Sequence, residues 1–152
     1  MATINQTKQA VRERVWALLE ESGAVAAGVR GYIPAFSGAD EAAERLTRLA
    51  VWQHSRVLKT GPDRAQLPVR TRALKANKIV YMAVPKLAKM PPFYFLDPRN
   101  LPVPAEHAAD RIVAARVAQR VDLDEMRPID LVVCGSVAVN PAGVRLGKGA
   151  GY

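Results

Sequence analysis

Several features that are scarce in this 152-residue chain limit what it could be. Cysteine occurs once, at Cys134, so an internal disulfide is excluded and a reducing compartment is expected. Aromatic residues make up only 6% of the chain, which argues against a base-stacking surface for nucleic acid. No apolar run approaches the roughly 20 residues that a membrane-spanning helix needs. The N-terminus lacks the apolar segment of a signal peptide, so we expect a cytoplasmic protein without membrane partners.

Acidic residues are outnumbered by basic ones, 14 to 22, and the formal net charge is +8. Such a charge favours anionic partners, which include nucleotides, phosphorylated or polycarboxylate small molecules, and nucleic acid. The basic residues are scattered along the chain rather than massed, so nucleic acid is the weaker expectation. The length and a hydrophobic fraction of 49% predict one globular domain.

Helix and strand patterns alternate along the chain. An amphipathic helix is predicted from Asn5 to Ser22, with a buried stripe formed by Val11, Val15, Leu18 and Leu19 that should dock on a sheet. Further helices are predicted over residues 39–53, 67–76 and about 106–112, and strands over residues 55–59, 79–84, 93–96 and 129–134. Residues 114–121 fit either pattern. The alternation predicts an α/β fold with a largely parallel sheet.

The last predicted strand leads into a glycine-rich loop that reads Gly143-Val144-Arg145-Leu146-Gly147-Lys148-Gly149-Ala150-Gly151-Tyr152. Alternating glycines leave backbone amides free to surround an anion, and Arg145 and Lys148 add positive charge beside them. The same glycines would also suit tight turns or a flexible tail. Ligands of α/β sheets bind beyond the carboxyl ends of strands, and the pattern places this loop there.

Four other positions have both a structural and a functional interpretation. Lys8 and Arg12 stand one helical turn apart, which fits a solvated surface or an anion held between them. Phe36 could line a pocket or anchor the core. Cys134 is interpreted as a small buried hydrophobe at a strand end rather than a nucleophile. His54 and His107 have no partners at metal-ligand spacing, so no metal-ligating residues are predicted from these motifs.

Strand and loop together resemble the signature of the 5-formyltetrahydrofolate cyclo-ligase (methenyltetrahydrofolate synthetase) family. The matching residues run from Ile129 through Gly135 to the glycine-rich loop, and the family also begins with a helix that carries Lys8 and Arg12 at this spacing. The middle of the chain is most similar to a divergent branch named for containing a synthetase-like domain. That likeness lies in residues 33–36, the helix after them, and residues 59–63.

The resemblance implies a three-layer α/β/α fold and a reaction that depends on ATP and Mg²⁺. In that family the formyl oxygen of 5-formyltetrahydrofolate attacks the γ-phosphate of ATP, a folate nitrogen closes the ring, and phosphate leaves to give 5,10-methenyltetrahydrofolate. The implied catalytic residues are Arg145 and Lys148. The implied nucleotide-binding residues are Lys8, Arg12, Arg145, Gly147, Lys148, Gly149, Gly151 and Tyr152. The candidates for contact with the folate are Phe36 and Glu41.

The sequence departs from the family pattern in two places. The segment Ser37 to Glu41 offers no certain counterpart of the folate-site glutamate. The signature normally continues past the tyrosine to an aspartate that serves the metal, whereas this chain stops at Tyr152, so we expect a domain truncated after the glycine-rich loop, with a sheet incomplete at its C-terminal end. A non-catalytic nucleotide- or folate-binding module is therefore the alternative to an active ligase.

Overall fold

The computed structural model of the chain describes residues 1–150. It divides into two compact units. The first unit comprises Met1–Gly38 together with the chain from Gly135 onward, and the second unit is Ala39–Cys134. Within residues 1–150, no helix combines the length and apolar character that crossing a membrane requires. The assignment of the whole chain to a single domain stays a prediction.

The regular elements of residues 1–150 alternate between helix and strand in the second unit. The helices are α1 (Ile4–Glu21), α2 (Ala39–Thr47), α3 (Ala50–His54), α4 (Leu67–Lys75), α5 (Ala105–Ala108) and α6 (Arg111–Val117). The strands are β1 (Val57–Thr60), β2 (Ile79–Ala83), β3 (Phe93–Leu96), β4 (Gln119–Val121), β5 (Leu131–Val132), β6 (Ala138–Val139) and β7 (Arg145–Leu146). Most agree with the predicted elements to within a few residues.

The second unit is built on a five-stranded sheet with strand order β4-β3-β2-β1-β5. Strand β1, between β2 and the edge strand β5, pairs in parallel with both, and the β2–β3 and β3–β4 pairs are antiparallel. The predicted α/β class is confirmed, with parallel pairing confined to β5, β1 and β2. Because β1 has parallel neighbours on both sides, its carboxyl end lies where ligands of such sheets usually bind.

The two faces of this sheet carry separate apolar clusters. Leu58, Val80 and Leu96, all fully buried, face the helices and pack with residues from α2 to α6 such as Trp52 and Leu74. The opposite face presents a second cluster made of Val57, Ile79, Tyr81, Phe93 and Val121. The alternation of neighbouring residues between the two clusters is the two-residue period expected of strands that are covered on both sides.

The predicted helix over residues 39–53 is broken into α2 and α3. Leu49, at the break, has an extended backbone conformation and is 54% exposed. The break turns Trp52 into the core, where it is 4% exposed. Lys78 then donates from its ammonium nitrogen to the carbonyl oxygens of Trp52, at 2.9 Å, and Ser55, which satisfies acceptors at the end of α3.

The predicted strand over residues 129–134 is shorter than its apolar run suggested. Only Leu131 and Val132 are in strand conformation, and Val132 is 51% exposed. Asp130 fixes the start of this segment, because its carboxylate accepts the backbone N–H groups of Arg56 at 2.8 Å and Val57 at 2.9 Å. Cys134 is exposed, so its interpretation as a buried hydrophobe is wrong.

In the first unit, helix α1 begins and ends with recognisable signals. The Thr3 hydroxyl accepts the backbone N–H of Gln6, and the Gln6 side chain accepts that of Thr3, which together form a capping box. At the other end Gly23 has a φ of 71°, and Ala24 N–H reaches back to the carbonyl of Leu19. Glycine is favoured there because this left-handed conformation strains other residues.

The predicted buried stripe of α1 is only partly correct. Val15 is half-buried, but Val11 is 43% and Leu18 is 54% exposed. The helix instead buries Trp16, which packs with Val29 and Val137. A large indole ring removes more apolar surface from water than either aliphatic residue, so the buried face centres on it.

Helix α1 contacts a two-stranded antiparallel hairpin formed by β6 and β7. Its turn is closed by Asn140, whose side-chain oxygen accepts the backbone N–H of Val144 at 2.9 Å. The first part of the predicted glycine-rich loop, residues 143–146, therefore belongs to this hairpin and includes β7, and the loop continues from Gly147 after β7 rather than directly after the predicted strand over residues 129–134. The sheet on which α1 packs, within this unit, is therefore the two-stranded hairpin.

Candidate phosphate-binding site

Arg12 joins helix α1 to the glycine-rich loop. Its side chain is half-buried, and its Nε–H donates to the backbone carbonyl of Gly147 at 2.7 Å. Gly147 directly follows β7, so the hairpin delivers the loop to the helix. Although 135 positions separate the two residues in sequence, the fold of the first unit brings the N-terminal and C-terminal signatures into direct contact.

Gly149 packs even more closely on the same guanidinium group. It has a φ of 93°, and a Cβ atom placed on it would lie 3.3 Å from Cζ and 3.4 Å from Nη1 of Arg12. The positive φ favours glycine because this backbone conformation strains other residues, and a Cβ atom would in addition press on the guanidinium, which would have to shift. A Cβ atom placed on Gly147, by contrast, would meet nothing within 4 Å.

The guanidinium of Arg12 has a second fixed contact. Its Nη1 donates to the side-chain oxygen of Gln9 at 3.2 Å. The Gln9 amide nitrogen donates in turn to the Glu13 carboxylate at 2.7 Å. Arg12 is therefore held between the backbone of the loop and a neutral acceptor on its own helix.

The other predicted cations of the site lie in the same unit. Lys8 precedes Arg12 by one helical turn and is exposed, so the two side chains share one face of α1. Arg145 lies on β7, opposite Val139, and is exposed. Lys148 is half-buried in the loop between Gly147 and Gly149. Gly151 and Tyr152, also predicted to bind the nucleotide, lie outside the described residues.

The two candidates for contact with a folate belong to different units. Phe36 is 38% exposed in the first unit, so it is no core anchor. Glu41 lies in the first turn of α2 in the second unit, and it is exposed. Neither exposure assigns a ligand, and both residues stay candidates.

A salt-bridge network next to Arg12 was not predicted from the sequence. Arg30 donates to Glu13 at 3.1 Å and to Glu20 at 2.6 Å. The hydrogen bond from Arg30, supported by the backbone N–H groups of Gly28 and Val29, holds the pKa of Glu20 below its usual range. The only signal in the sequence was the spacing of Gln9, Glu13 and Glu20 along α1.

Polar groups at the carboxyl end of β1 were also missed. Thr60 and Gln66 are buried, and within residues 1–150 neither Thr60 Oγ1 nor Gln66 Nε2 has a hydrogen-bond partner. Arg70, 1% exposed, donates to the carbonyl oxygens of Gly61, Asp63 and Ala109, and burial lowers its pKa to about 10. Arg70 thus holds the loop after β1 through hydrogen bonds to the carbonyl oxygens of Gly61 and Asp63. Thr60 Oγ1 and Gln66 Nε2 stay without hydrogen-bond partners among residues 1–150.

The described residues do not fit a metal cage. Among residues 1–150, no three His, Cys, Asp or Glu side chains come together as a protein-held metal ion would require. The chemistry that the first unit offers is instead cationic. A half-buried guanidinium and loop amides, with further cations on the same helix and loop, are suited to the oxygens of a polyphosphate.

A comparison with models of protein families matches residues 4–152 to the 5-formyltetrahydrofolate cyclo-ligase family. Among curated proteins, the chain is similar to methenyltetrahydrofolate synthase domain-containing proteins of several vertebrates. It is 35% identical to that of Danio rerio over 98% of the chain, 35% to that of Bos taurus over 96%, and 31% to that of Homo sapiens over 98%.

The chain spans about 40% of the length of these curated relatives. No solved structure gave a significant match.

Proposed function

Because the chain belongs to the 5-formyltetrahydrofolate cyclo-ligase family, we propose that it binds ATP and cyclises 5-formyltetrahydrofolate, or a related folate, to the 5,10-methenyl form. The observation that carries this proposal is the contact of Arg12 with Gly147 and Gly149. It joins the two ends of the family signature in one cationic site. The names of the curated relatives refer to a domain rather than to an activity, so the reaction itself is our proposal.

In this proposal the side chains of the first unit hold and neutralise the triphosphate. Arg12 and Lys8 approach it from helix α1, and Arg145 and Lys148 approach it from the hairpin and loop. The loop amides from Gly147 to Ala150 would add hydrogen bonds to phosphate oxygens. Gly151 and Tyr152, which lie outside the described residues, stay predicted nucleotide-binding residues. Phosphoryl transfer needs positioning and charge neutralisation more than covalent help, so Arg145 and Lys148 are the proposed catalytic groups, and Lys8 and Arg12 are proposed to bind the nucleotide.

ATP supplies the leaving phosphate that makes ring closure favourable. The formyl oxygen attacks the γ-phosphorus of ATP and ADP leaves. The neighbouring folate nitrogen then forms the new bond to the formyl carbon, and the bond from that carbon to the phosphorylated oxygen breaks as inorganic phosphate departs. The described residues form no cage for Mg²⁺, and this ion commonly binds through substrate phosphates and water. No role that we assign to a side chain depends on it.

For the folate we propose contacts, within the second unit, from Glu41 and from the buried polar atoms at the carboxyl end of β1. Phe36 of the first unit stays a candidate for such a contact. An amide nitrogen on Gln66 and a hydroxyl on Thr60, both without partners among residues 1–150, suit a heteroaromatic ring with several donors and acceptors. One unpaired cysteine favours a reducing compartment, and the cytoplasm is the location that we propose.

The test is turnover by the full chain. With 5-formyltetrahydrofolate and ATP together, we expect methenyltetrahydrofolate absorbance to grow, and to stay flat when ATP is omitted. Lys148→Ala should lower kcat strongly, whereas Lys89→Ala, which removes the same charge from an exposed position of the second unit, should not. ATP binding without turnover would replace the ligase by a nucleotide-binding module, and neither binding nor turnover would overturn both.

A further inference from the structure

We propose that Gln9 and Glu13 are positioning residues, which set the orientation in which the Arg12 guanidinium meets a polyphosphate. This inference rests on the proposed function, because it takes Arg12 to be the residue that contacts the anion. It concerns residues that bind no ligand themselves and act through Arg12.

Helix geometry makes Gln9 the link between Arg12 and Glu13. Adjacent residues on a helix point about 100° apart, so Arg12 and Glu13 do not face each other. Gln9 lies three residues before Arg12 and four before Glu13, which are the two spacings at which side chains on a helix meet. Its amide contacts both, with the oxygen on Arg12 at 3.2 Å and the nitrogen on Glu13 at 2.7 Å.

Glu13 determines which end of the Gln9 amide faces Arg12. An ionised carboxylate only accepts hydrogen bonds, so it takes the NH₂ end of the amide. The carbonyl oxygen is then turned toward the guanidinium, which only donates. Without Glu13 the amide could rotate and present its NH₂ group to Arg12, which would repel it.

The arrangement orients Arg12 without neutralising it. Nε–H is directed to the Gly147 carbonyl and Nη1 to the Gln9 oxygen, both neutral acceptors. Within residues 1–150, Nη2 has no hydrogen-bond partner. Two of the five N–H donors are therefore engaged with neutral acceptors, the guanidinium keeps its positive charge, and in our proposal the remaining donors on Nη1 and Nη2 meet the phosphate. A glutamate at position 9 would repel Glu13 and compete with the phosphate.

Glu13 is itself held from its other side. Its second oxygen accepts Arg30 Nε–H at 3.1 Å, and Arg30 also pairs with Glu20 at 2.6 Å. The side chains of Arg30 and Glu13 are 51% and 47% exposed, so a single one of these pairs contributes little stability. These ion pairs instead orient the Glu13 carboxylate, because Arg30 binds one of its oxygens and the other oxygen accepts the Gln9 amide nitrogen.

The first experiment compares Glu13→Ala with Glu21→Ala by calorimetric titration of ATP into the full chain. Both variants remove one negative charge from exposed positions of α1. A purely electrostatic effect would tighten binding in both. Positioning predicts that Glu13→Ala binds ATP about three-fold more weakly, since an oriented charge-assisted contact is lost in part, while Glu21→Ala does not weaken binding. Tighter binding by Glu13→Ala would overturn the proposal.

A double-mutant cycle tests whether Glu13 acts through Gln9. Gln9→Leu removes both hydrogen bonds at similar size, and we expect about five-fold weaker binding of ATP. If Glu13 works by orienting Gln9, then Glu13→Ala adds nothing in the Gln9→Leu background. Effects that multiply in the double variant would show two independent contributions and contradict the assignment.

A measurement without ligand separates this inference from the proposed function. In ¹⁵N NMR spectra, the Arg12 Nε–H should exchange with water faster in Gln9→Leu and in Glu13→Ala than in wild type, because its hydrogen bond to Gly147 is loosened. Unchanged exchange in both variants would overturn the positioning role even if ATP binds. Wild type that binds no ATP would overturn the proposed function, while accelerated exchange would still support the orientation of Arg12 by this pair.

Discussion

The two units of the chain differ in what holds them together. In the second unit, strands covered on both faces bury two apolar clusters, with Leu58, Val80 and Leu96 fully enclosed. In the described part of the first unit the apolar cluster centres on Trp16, Val29 and Val137, and hydrogen bonds and ion pairs along α1 connect the rest. The larger buried apolar clusters thus lie in the second unit, and the candidate phosphate-binding residues lie in the first.

This division has a physical reason. A site for a polyphosphate needs cations and free amides that water and ligand can reach, and such groups cannot be packed into an apolar core. In the first unit, hydrogen bonds and ion pairs hold these cationic groups in defined orientations at the surface. Variants that act on stability should therefore be sought in the second unit, and variants that act on the orientation of charge in the first.

The largest effect is expected from Leu58→Ala, in the buried strand β1 of the second unit. Leu58 is 0% exposed and pairs with Val80 on one side and Leu131 on the other. Removing a buried leucine leaves a cavity and should lower the free energy of unfolding by about 3 kcal/mol. Urea denaturation measures this loss. Leu123→Ala, at a position 71% exposed, is the control, and equal losses in the two variants would contradict the account of the core.

Gly149→Ala should have the next largest effect, and it should be confined to the first unit. A φ of 93° and a contact of 3.3 Å with the Arg12 guanidinium both oppose a Cβ atom. We expect a loss of about 1–2 kcal/mol in that unit, measured by hydrogen exchange of the α1 amides. Gly147→Ala is the matched control, since a Cβ atom there meets nothing within 4 Å. A neutral Gly149→Ala would show that the loop is not constrained.

Trp16→Phe should have a smaller effect in the same unit. The substitution keeps an aromatic ring in the cluster but removes the indole N–H that donates to the Tyr32 carbonyl at 3.1 Å. We expect a loss of about 1 kcal/mol, again in the exchange protection of α1. Protection equal to wild type would mean that this hydrogen bond does not hold the segment around Tyr32 on helix α1.

The smallest effect concerns acid stability of the second unit. Hydrogen bonds from the backbone N–H groups of Arg56 and Val57 hold the pKa of Asp130 below its usual range. A carboxyl whose folded-state pKa is depressed stabilises the fold above its unfolded pKa of about 4, and that contribution disappears as the pH falls through the folded-state value.

Asp130→Asn should therefore flatten the fall in stability below about pH 4, measured by urea denaturation at a series of pH values. Asp124→Asn, which removes the same charge from an exposed position, should leave the profile unchanged. Identical acid profiles for wild type and Asp130→Asn would contradict the role of these hydrogen bonds.

The sequence predicted those parts of the molecule that local patterns control. Strand β2 and helix α4 follow from a continuous apolar run and from Pro68 in a first turn, and both agree with the structure. The break before α3 and the short strand β5 did not follow, because Trp52 and Asp130 act through contacts far away in sequence. The nearness of Arg12 to the glycine-rich loop was expected from a family resemblance, whereas its hydrogen bonds to Gly147 and Gln9 required the structure.

Calorimetric titration of ATP into wild type, Arg12→Met and Arg14→Met tests the central claim most directly. Arg14 is an exposed arginine of the same helix, so its loss changes the net charge equally. If Arg12 holds the triphosphate against the loop, Arg12→Met should bind at least about ten-fold more weakly than wild type, and Arg14→Met within about two-fold of it. Equal affinities for the two variants would contradict the account.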